Sequence, residues 1–333
     1  MTSSIPARFR AFRIHRGERV QGQVEPVTLD DLSPGGIVIR ARYAALNYKD
    51  ALATTDHGGV IRNFPRVGGS DVSGHVLSSD DPRWQPGDSV LAYAQGLGVD
   101  HDGGFSEYVR VRPDQLVALP PELDLLSGAS LGVAGFTAAL TVHLLQENGL
   151  QPEQGDVWVN GATGGVGCMA IAMLAASGYR VVAMSSKAEH ADWLLRQGAA
   201  EVVGRGELTS SSALLAKARG SAAIDSIGGD ALDGLLRSMQ PRGIVASVGN
   251  VSGNALHTNV LPFILRGVRL IGINLSAYRD LEPMLWRRLA TDLRPDRLNE
   301  NTRLLALDEL PAAIGQMLNA QTVGRTLVDY GEA

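Results

Sequence analysis

The chain has 333 residues, more than one hydrophobic core usually holds, so we expect two domains. A net charge of -5, with 20% charged residues, gives no basis for nucleic acid or an anionic membrane as a partner. Cys168 is the only cysteine, which excludes an internal disulfide and a zinc cluster of thiolates.

The beginning of the chain, MTSSIPARFRAFRIHRGERV, lacks the apolar core of a signal peptide. The most apolar stretch, LGVAGFTAALTV at 131–142, is shorter than the about 20 residues that a membrane-spanning helix needs. We therefore expect a cytoplasmic protein without a membrane partner.

Short strands and turns fill the chain before about residue 125. The stretches GGIVIRARYAALN (35–47) and GDSVLAY (87–93) are typical of strands, and SPGG, QPGD and HDGG are typical of turns. We predict a β-rich domain over residues 1–125.

From about residue 129, apolar strands alternate with helices. Strands are predicted at VWVN, YRVVAMS, AEVVG, AAIDSIG, GIVASVG and VRLIGINL; helices are predicted at 165–178, 190–199, 231–239 and near 212–219, with Ser212 as the cap of the last. This pattern predicts an α/β fold with a doubly wound parallel sheet, which we place at 126–275. In the tail, 276–333, the final strand in GRTLVDY is expected to rejoin the first domain.

A glycine-rich run, GATGGVG at 161–167, separates an apolar strand from a helix that opens with small residues. A dinucleotide pyrophosphate needs bare backbone amides at a helix N-terminus, where a side chain would hold the phosphates away. The spacing departs from a strict G-x-G-x-x-G, because Ala162 and Thr163 precede the glycine pair. An ordinary strand-to-helix turn is the alternative, but the strand–helix alternation that follows favours a dinucleotide site.

The end of the second strand indicates which dinucleotide binds. An NAD site places an acidic residue there, about 20 residues after the glycines. Here the strand ends in Ser185, Ser186 and Lys187, whose hydroxyls and cation suit a 2′-phosphate, and Arg205 follows the third strand as a second cation. We predict NADPH, with solvated surface positions as the alternative for both Lys187 and Arg205.

Several other chemistries lack their residue patterns. The 7 histidines show no H-E-x-x-H, and no Gly-x-Ser-x-Gly elbow is present. No set of three zinc ligands is apparent, so hydride transfer without a metal remains the best chemistry.

Five motifs, in order, carry a family resemblance: LNYKD (46–50), GSDVSG (69–74), GGFSEYVRV (103–111), AGFTAAL (134–140) and GATGGVG. They resemble the zinc-independent, quinone-oxidoreductase-like group of the medium-chain dehydrogenase/reductase superfamily. The stretches LNYKDALA, VIRNFPRVGGSD, PFILRGVRLIGIN and GRTLV are similar to its NADPH-dependent acryloyl-CoA reductase branch. Zinc-containing members have Cys where this chain has Asn47 and His where it has Ser70, so the resemblance implies no bound metal.

The resemblance implies a GroES-like catalytic domain interrupted by a Rossmann domain, with the cofactor in the cleft between them. It also implies a homodimer through the last Rossmann strand. Matched residue by residue, the expected cofactor contacts are Tyr48, Gly161, Thr163, Gly164, Gly165, Val166, Ser185, Ser186, Lys187, Arg205, Asn250, Ile264 and Leu275. The family commonly has Gly and Arg at the positions of Ser186 and Lys187. Because Asn250 and Leu275 also replace other residue types, backbone contacts are expected there.

The reaction implied is reduction of a short 2-enoyl-CoA, with acryloyl-CoA giving propanoyl-CoA. Charge builds on the thioester oxygen and a proton must reach the α-carbon. Tyr48 is the candidate donor or positioning group, Asn47 a candidate donor to the substrate oxygen, and Asp50 is expected to fix the loop. Arg266 and Arg269 are candidates for coenzyme A phosphates or for solvated or dimer-edge positions. The alternatives are an NADPH:quinone or enone reductase and a non-catalytic NADPH-binding protein of the same fold.

Overall fold

The computed structural model describes residues 5–209 and 213–331. The chain divides into two compact units, Met1–Val133 with Leu298–Ala333 (unit 1) and Ala134–Arg297 (unit 2). The predicted functional domains, 1–125, 126–275 and 276–333, stay a prediction.

Unit 1 is a β-rich body. Its described elements are β1 (Phe9–Arg16), β2 (Val20–Val27), β3 (Ile37–Ala45), α1 (Tyr48–Leu52), β4 (Arg66–Val67), β5 (Asp71–Ser79), β6 (Ser89–Tyr93), β7 (Tyr108–Val111), β8 (Leu116–Ala118), the start of α2 (Leu125–Glu147), β15 (Thr302–Leu305), α9 (Leu310–Leu318) and β16 (Arg325–Asp329). They form a small sheet, β2-β1-β4, and a larger one, β15-β16-β3-β5-β6-β8 with β7 also on β3. Alternate residues such as Ile37, Ile39 and Ala41 enter one core, as the two-residue period of a strand requires.

Strand β3 is central because both distant parts of unit 1 pair with it. β5 and β16 both pair with it in antiparallel fashion, Leu327 of β16 lying opposite Ala45. The expected return of the last strand to the first domain is therefore confirmed, and it carries Arg325 to the carboxyl end of β3.

Unit 2 is the predicted parallel sheet with its helices. After the remainder of α2, its described elements are β9 (Asp156–Asn160), α3 (Gly165–Ala176), β10 (Val181–Met184), α4 (Ala191–Arg196), β11 (Glu201–Val203), α5 (Gly206–Thr209), β12 (Gly220–Asp225), α6 (Gly229–Ser238), β13 (Met239–Ser247), α7 (Leu261–Arg266), β14 (Arg269–Gly272) and α8 (Glu282–Ala290). The strand order is β11-β10-β9-β12-β13-β14, with every pair parallel. The order reverses beside β9, as in a doubly wound nucleotide-binding sheet, so this prediction is confirmed.

The helix predicted near 212–219 is wrong over its described part, since 213–219 contains no helix. The carbonyls of Ala213, Leu214 and Ala216 accept hydrogen bonds from the side chains of Arg237, Asn259 and Arg266 respectively. Those tertiary bonds use the acceptors that a helix would need, and they override the local helix propensity. Ser212, the predicted cap, lies outside the described residues.

The apolar stretch at 131–142 belongs to α2, which is longer than predicted. In the described chain α2 is long and apolar enough to cross a membrane by composition, with a mean hydropathy of 1.6 over its best window. However, 83% of that window is buried inside the protein, as in the core helix of a soluble protein. Gly132, with φ 40° and ψ -142°, interrupts the helix at the boundary between the units.

Candidate functional site

The glycine-rich run forms a tight loop between β9 and α3. Gly161 has a φ of 75°, in the left-handed region that favours glycine. A Cβ on Gly167 would lie 2.4 Å from the carbonyl oxygen of Gly161, so a side chain there would push the first turn of α3 off the loop. Helix α3 begins at Gly165, and its N-cap, Gly164, supplies no side-chain cap. The loop therefore has the bare helix N-terminus that an anionic pyrophosphate requires.

Two cations lie beyond the next two strands. Lys187 follows β10, and its backbone N–H donates to the buried Ser185 Oγ over 3.0 Å, while Ser186 is exposed. Partial burial lowers the pKa of Lys187, and the positive charge of Arg205 lowers it further against the opposing effect of Glu189. The Nε of Arg205 is buried and makes no hydrogen bond within the described residues. Two adjacent cations of this kind favour a bound anion.

The other predicted cofactor contacts in unit 2 differ in their placement. Asn250 follows β13 and its side chain donates to Asn254, and Leu275 follows β14. The carboxyl ends of parallel strands share one edge, so these positions lie along the same edge as the glycine loop. Ile264 stands apart on α7, with 68% of its surface exposed. All three assignments stay predictions.

Asn47 lies in a buried polar network of unit 1. Its Nδ2 donates to Ser70 Oγ over 3.0 Å and to Asp71 Oδ2 over 3.1 Å. Its Oδ1 accepts from Arg325 Nη1 over 2.8 Å. Both amide hydrogens are thus used within the unit, which leaves none for a substrate oxygen in this conformation. This geometry favours a positioning role for Asn47 over the predicted role as a donor.

Asp50 ties the start of α1 to this network. Its Oδ2 accepts the N–H of Asn47 over 2.9 Å and the hydroxyl of Ser70 over 3.0 Å. Complete burial, followed by the nearby charge of Asp71, raises the pKa of Asp50 to about 7. Asp50 fixes the loop that carries Asn47 and Tyr48.

The positions of the family's zinc ligands do not fit a metal here. Asn47 and Ser70 present an amide and a hydroxyl that are hydrogen-bonded to each other, whereas zinc sites use thiolate, imidazole and carboxylate donors. Within 5–209 and 213–331, no group of three or more His, Cys, Asp or Glu side chains could hold a metal ion. Asn47 and Ser70 therefore do not replace the zinc ligands of the metal-containing members.

Tyr48 is the first residue of α1 and is half-buried. No hydrogen bond or ion pair involves its phenol among the described residues, in contrast to the saturated amide of Asn47 beside it. Its hydroxyl is therefore free to bind a ligand.

Arg266 and Arg269 have structural partners. Arg266 donates to the carbonyls of Arg237, Met239 and Ala216 over 2.6–2.9 Å. Arg269 donates to the carbonyls of Asn148 and Arg242. These bonds hold the 213–219 segment and the edge strand in place, so neither arginine is a good candidate for coenzyme A phosphates.

Sequence reasoning missed a buried pair, Asn160 and Asp225, at the ends of β9 and β12. Asn160 Nδ2 donates to Asp225 Oδ1 over 2.7 Å. The available signal was one polar residue ending each apolar strand, VWVN and AAID.

Comparison with known proteins identifies the family. Residues 33–121 match the alcohol dehydrogenase GroES-like domain, and residues 165–291 match the zinc-binding dehydrogenase domain. The Bacillus subtilis protein YhfP, which carries the name of a quinone oxidoreductase, is 42% identical over 96% of this chain and 98% of its own length. The chain belongs to the medium-chain dehydrogenase/reductase superfamily.

Two further relatives place this medium-chain dehydrogenase/reductase in the quinone-oxidoreductase-like group with its acryloyl-CoA reductase branch. Acrylyl-CoA reductase AcuI of Ruegeria pomeroyi is 38% identical over 96% of this chain and 99% of its own length. The crystal structure of Escherichia coli K-12 YhdH with bound NADPH has a TM-score of 0.93 and 37% identity, covering 96% of this chain and 100% of that one. YhfP has been crystallised with NAD, at a TM-score of 0.92 and 41% identity over 97% and 100% of the two chains. The family resemblance and the fold class predicted from the sequence are confirmed.

Proposed function

We propose that this protein is an NADPH-dependent oxidoreductase that reduces the C=C bond of a short 2-enoyl-CoA, with acryloyl-CoA giving propanoyl-CoA. The observation that carries the cofactor assignment is the cation pair of Lys187 and Arg205, which follow β10 and β11, the two strands after the glycine loop. The substrate assignment is supported by the full-length similarity to AcuI and by the stretches LNYKDALA, VIRNFP and PFILRGV.

The cofactor is held by residues of unit 2. The backbone amides of Thr163, Gly165 and Val166 bind the pyrophosphate, whereas those of Gly161, Ala162 and Gly164 are hydrogen-bonded within the unit. Ser185, Ser186, Lys187 and Arg205 bind the 2′-phosphate. Bound NADPH supplies a hydride. No acidic residue lies at the end of β10 to accept a ribose 2′-hydroxyl, so NADH lacks its usual partner here. The NADPH bound in the Escherichia coli YhdH structure confirms the cofactor predicted from the sequence.

Within unit 1, Tyr48 acts on the substrate. Its free hydroxyl donates to the thioester oxygen, where negative charge develops, or delivers the proton to the α-carbon. Asn47, held by Ser70, Asp71 and Arg325, fixes the position from which Tyr48 begins α1. No step requires a metal.

The protein acts as a cytoplasmic homodimer in this proposal. β14 is the edge strand of the unit 2 sheet, and an unpaired edge favours pairing with a second chain. Nearby in sequence, Val260, Ile264 and Leu265 expose 64%, 68% and 64% of their surfaces. Light scattering of the purified protein measures this assembly.

A substrate panel with NADPH tests the proposal. We expect kcat/KM to fall from acryloyl-CoA to crotonyl-CoA, because a small acyl pocket rejects the extra methyl group by overpacking. Free acrylate should react far more slowly, because it lacks the remote binding energy of coenzyme A. Tyr48→Phe should lower kcat at least about tenfold while NADPH binding is retained. Unchanged turnover by this variant would remove Tyr48 from the mechanism.

The second candidate is an NADPH:quinone or enone reductase, favoured by the 42% identity to YhfP. It uses the same fold and the same hydride step. A larger kcat/KM for 1,4-benzoquinone or a simple enone than for acryloyl-CoA would decide for it. A chain that binds NADPH but does not oxidise it with any of these acceptors would instead be a non-catalytic binding protein of the same fold.

A further inference from the structure

We propose that Asn160 and Asp225 form a positioning pair that holds the glycine loop in its dinucleotide-binding conformation. The inference rests on the proposed function, because this loop is the proposed pyrophosphate site. Both side chains are fully buried, and they are direct partners in the register of β9 and β12. They therefore lie at the edge of the sheet where the loop begins.

Asn160 controls the first residue of the loop. Its Oδ1 accepts the backbone N–H of Gly161 over 3.0 Å, while its Nδ2 donates to Asp225 Oδ1 over 2.7 Å. Gly161 is the residue that turns into the left-handed region, at φ 75°. The amide of Asn160 thus fixes the turn from which the bare amides of the loop project.

Asp225 connects the same loop to its neighbours. Its Oδ2 accepts the N–H of Gly228 over 2.7 Å. Its backbone carbonyl accepts the N–H of Val248 over 2.8 Å and of Gly249 over 3.3 Å. Asp225 therefore anchors the loops that follow β12 and β13. Its partner Asn160 anchors the loop that follows β9.

The anchored turn also packs against the glycine loop. A Cβ on Gly161 would lie 3.2 Å from both Ser226 Cβ and Ile227 Cδ1, so the two segments are nearly in contact. A shift of the turn at 226–228 would displace Gly161 directly. The start of α3 packs equally closely, because a Cβ on Gly167 would lie 2.4 Å from the Gly161 carbonyl oxygen. A displacement of Gly161 would therefore also displace the first turn of α3.

The order of donors and acceptors explains why the pair is an amide and a carboxylate. Gly161 N–H needs an acceptor, Gly228 N–H needs an acceptor, and one donor must lie between the two side chains. Burial raises the pKa of Asp225, against the opposing effects of the Gly228 N–H, the Asn160 side chain and Arg205. A carboxyl group cannot attract the phosphates of the dinucleotide, whether it is protonated or ionised. Asn160 and Asp225 therefore affect binding by fixing the backbone at Gly161 and Gly228.

Exchanging the two residues tests this directly. Asn160→Asp alone places two carboxylates face to face, and Asp225→Asn alone places an N–H against another donor. The double variant N160D/D225N restores the bond between the two side chains and their bonds to Gly161 and Gly228, with the roles exchanged. The carboxylate now at position 160 accepts from Gly161 and from the new amide, whose oxygen accepts from Gly228.

The readouts are the NADPH Kd from nicotinamide fluorescence, the KM for NADPH and for the enoyl-CoA, and the thermal midpoint. We expect each single variant to raise the Kd and the KM for NADPH at least about tenfold, with the enoyl-CoA KM changed much less. The double variant should return to within about threefold of the wild type. Asp156→Asn is the control, because Asp156 lies at the opposite end of β9, paired with Arg180; it should bind NADPH as the wild type does.

Two results would overturn the inference: folded single variants with a wild-type Kd, or a folded double variant that binds as weakly as the singles. If the single variants do not fold, the Kd of the double variant decides. Failure of the proposed function has a different signature, because it appears in the wild-type protein: either no NADPH binding, or NADPH binding with no preference for an enoyl-CoA over a quinone or enone.

Discussion

Asp50→Asn should stabilise the protein at neutral and alkaline pH, and much less under acidic conditions. The carboxyl has a pKa of about 7 in the folded protein, against an ordinary value of 3.8 for an aspartate in water. Because the folded state holds this proton more tightly, the wild type loses stability as pH rises from about 4 to about 7. Both bonds to Asp50 end on one oxygen, so an amide oxygen can accept from Asn47 and Ser70 in the same way.

The size of the effect follows from the difference between the two pKa values. Each pKa unit corresponds to about 1.36 kcal/mol, so ionising Asp50 costs the fold roughly 4 kcal/mol once the pH is above about 7. At about pH 5 most of that cost is absent. The advantage of the variant over the wild type should therefore grow by roughly 2 to 3 kcal/mol between about pH 5 and about pH 8.

Equilibrium urea unfolding, followed by far-UV circular dichroism at the two pH values, measures this difference. Asp308→Asn is the matched control, because Asp308 is 69% exposed and its pair with Arg10 lies on the surface. Its stability relative to the wild type should change little with pH. A constant difference between Asp50→Asn and the wild type across the pH range would refute the argument that Asp50 is a buried, proton-holding carboxyl.

Three further predictions concern the binding sites. Lys187→Ala should raise the NADPH Kd by about tenfold to a hundredfold and leave the NADH Kd nearly unchanged, measured by fluorescence titration; equal losses for both would count against a 2′-phosphate site. Gly167→Ala should abolish dinucleotide binding and lower the thermal midpoint, because the new Cβ lies 2.4 Å from the Gly161 carbonyl. Gly17→Ala, where no atom lies within 4 Å, is its control. Elemental analysis should find no stoichiometric zinc, and a chelator should leave activity intact; zinc that chelation removes together with activity would contradict this.

The parallel sheet of unit 2 could be predicted because its signals are local. Apolar strands, helices at regular intervals and the run at 161–167 are each visible within a few residues. The segment 213–219 failed for the opposite reason. Its helix propensity is local, but Arg237, Asn259 and Arg266 reach its carbonyls from elsewhere in the chain.

The candidate sites divide in the same way. Short sequence motifs are enough to place Tyr48 and Lys187. They do not reveal the hydrogen-bond partners of nearby residues such as Asn47. The sequence suggests a donor role for Asn47, which stays a prediction, because nothing near it in the chain reveals that Ser70, Asp71 and Arg325 bind its amide. Asn160 and Asp225 are 65 positions apart, so only the pairing of β9 with β12 shows that they meet.

The return of β16 to β3 sets an order on synthesis of the protein by the ribosome. Asn47 and its partner Arg325 are separated by 278 positions, and buried Asp71 lies beside the same guanidinium. Unit 2 is continuous in the chain and is synthesised completely before that arginine is made. The polar network of unit 1 therefore cannot form until the last strand has been made. A nascent chain without that strand exposes the unpaired edge of β3 and leaves Asp71 without the positive charge of Arg325. A released chain that ends before β16 should thus carry a complete nucleotide-binding unit attached to an incomplete catalytic one, which makes it a target for chaperones and proteases.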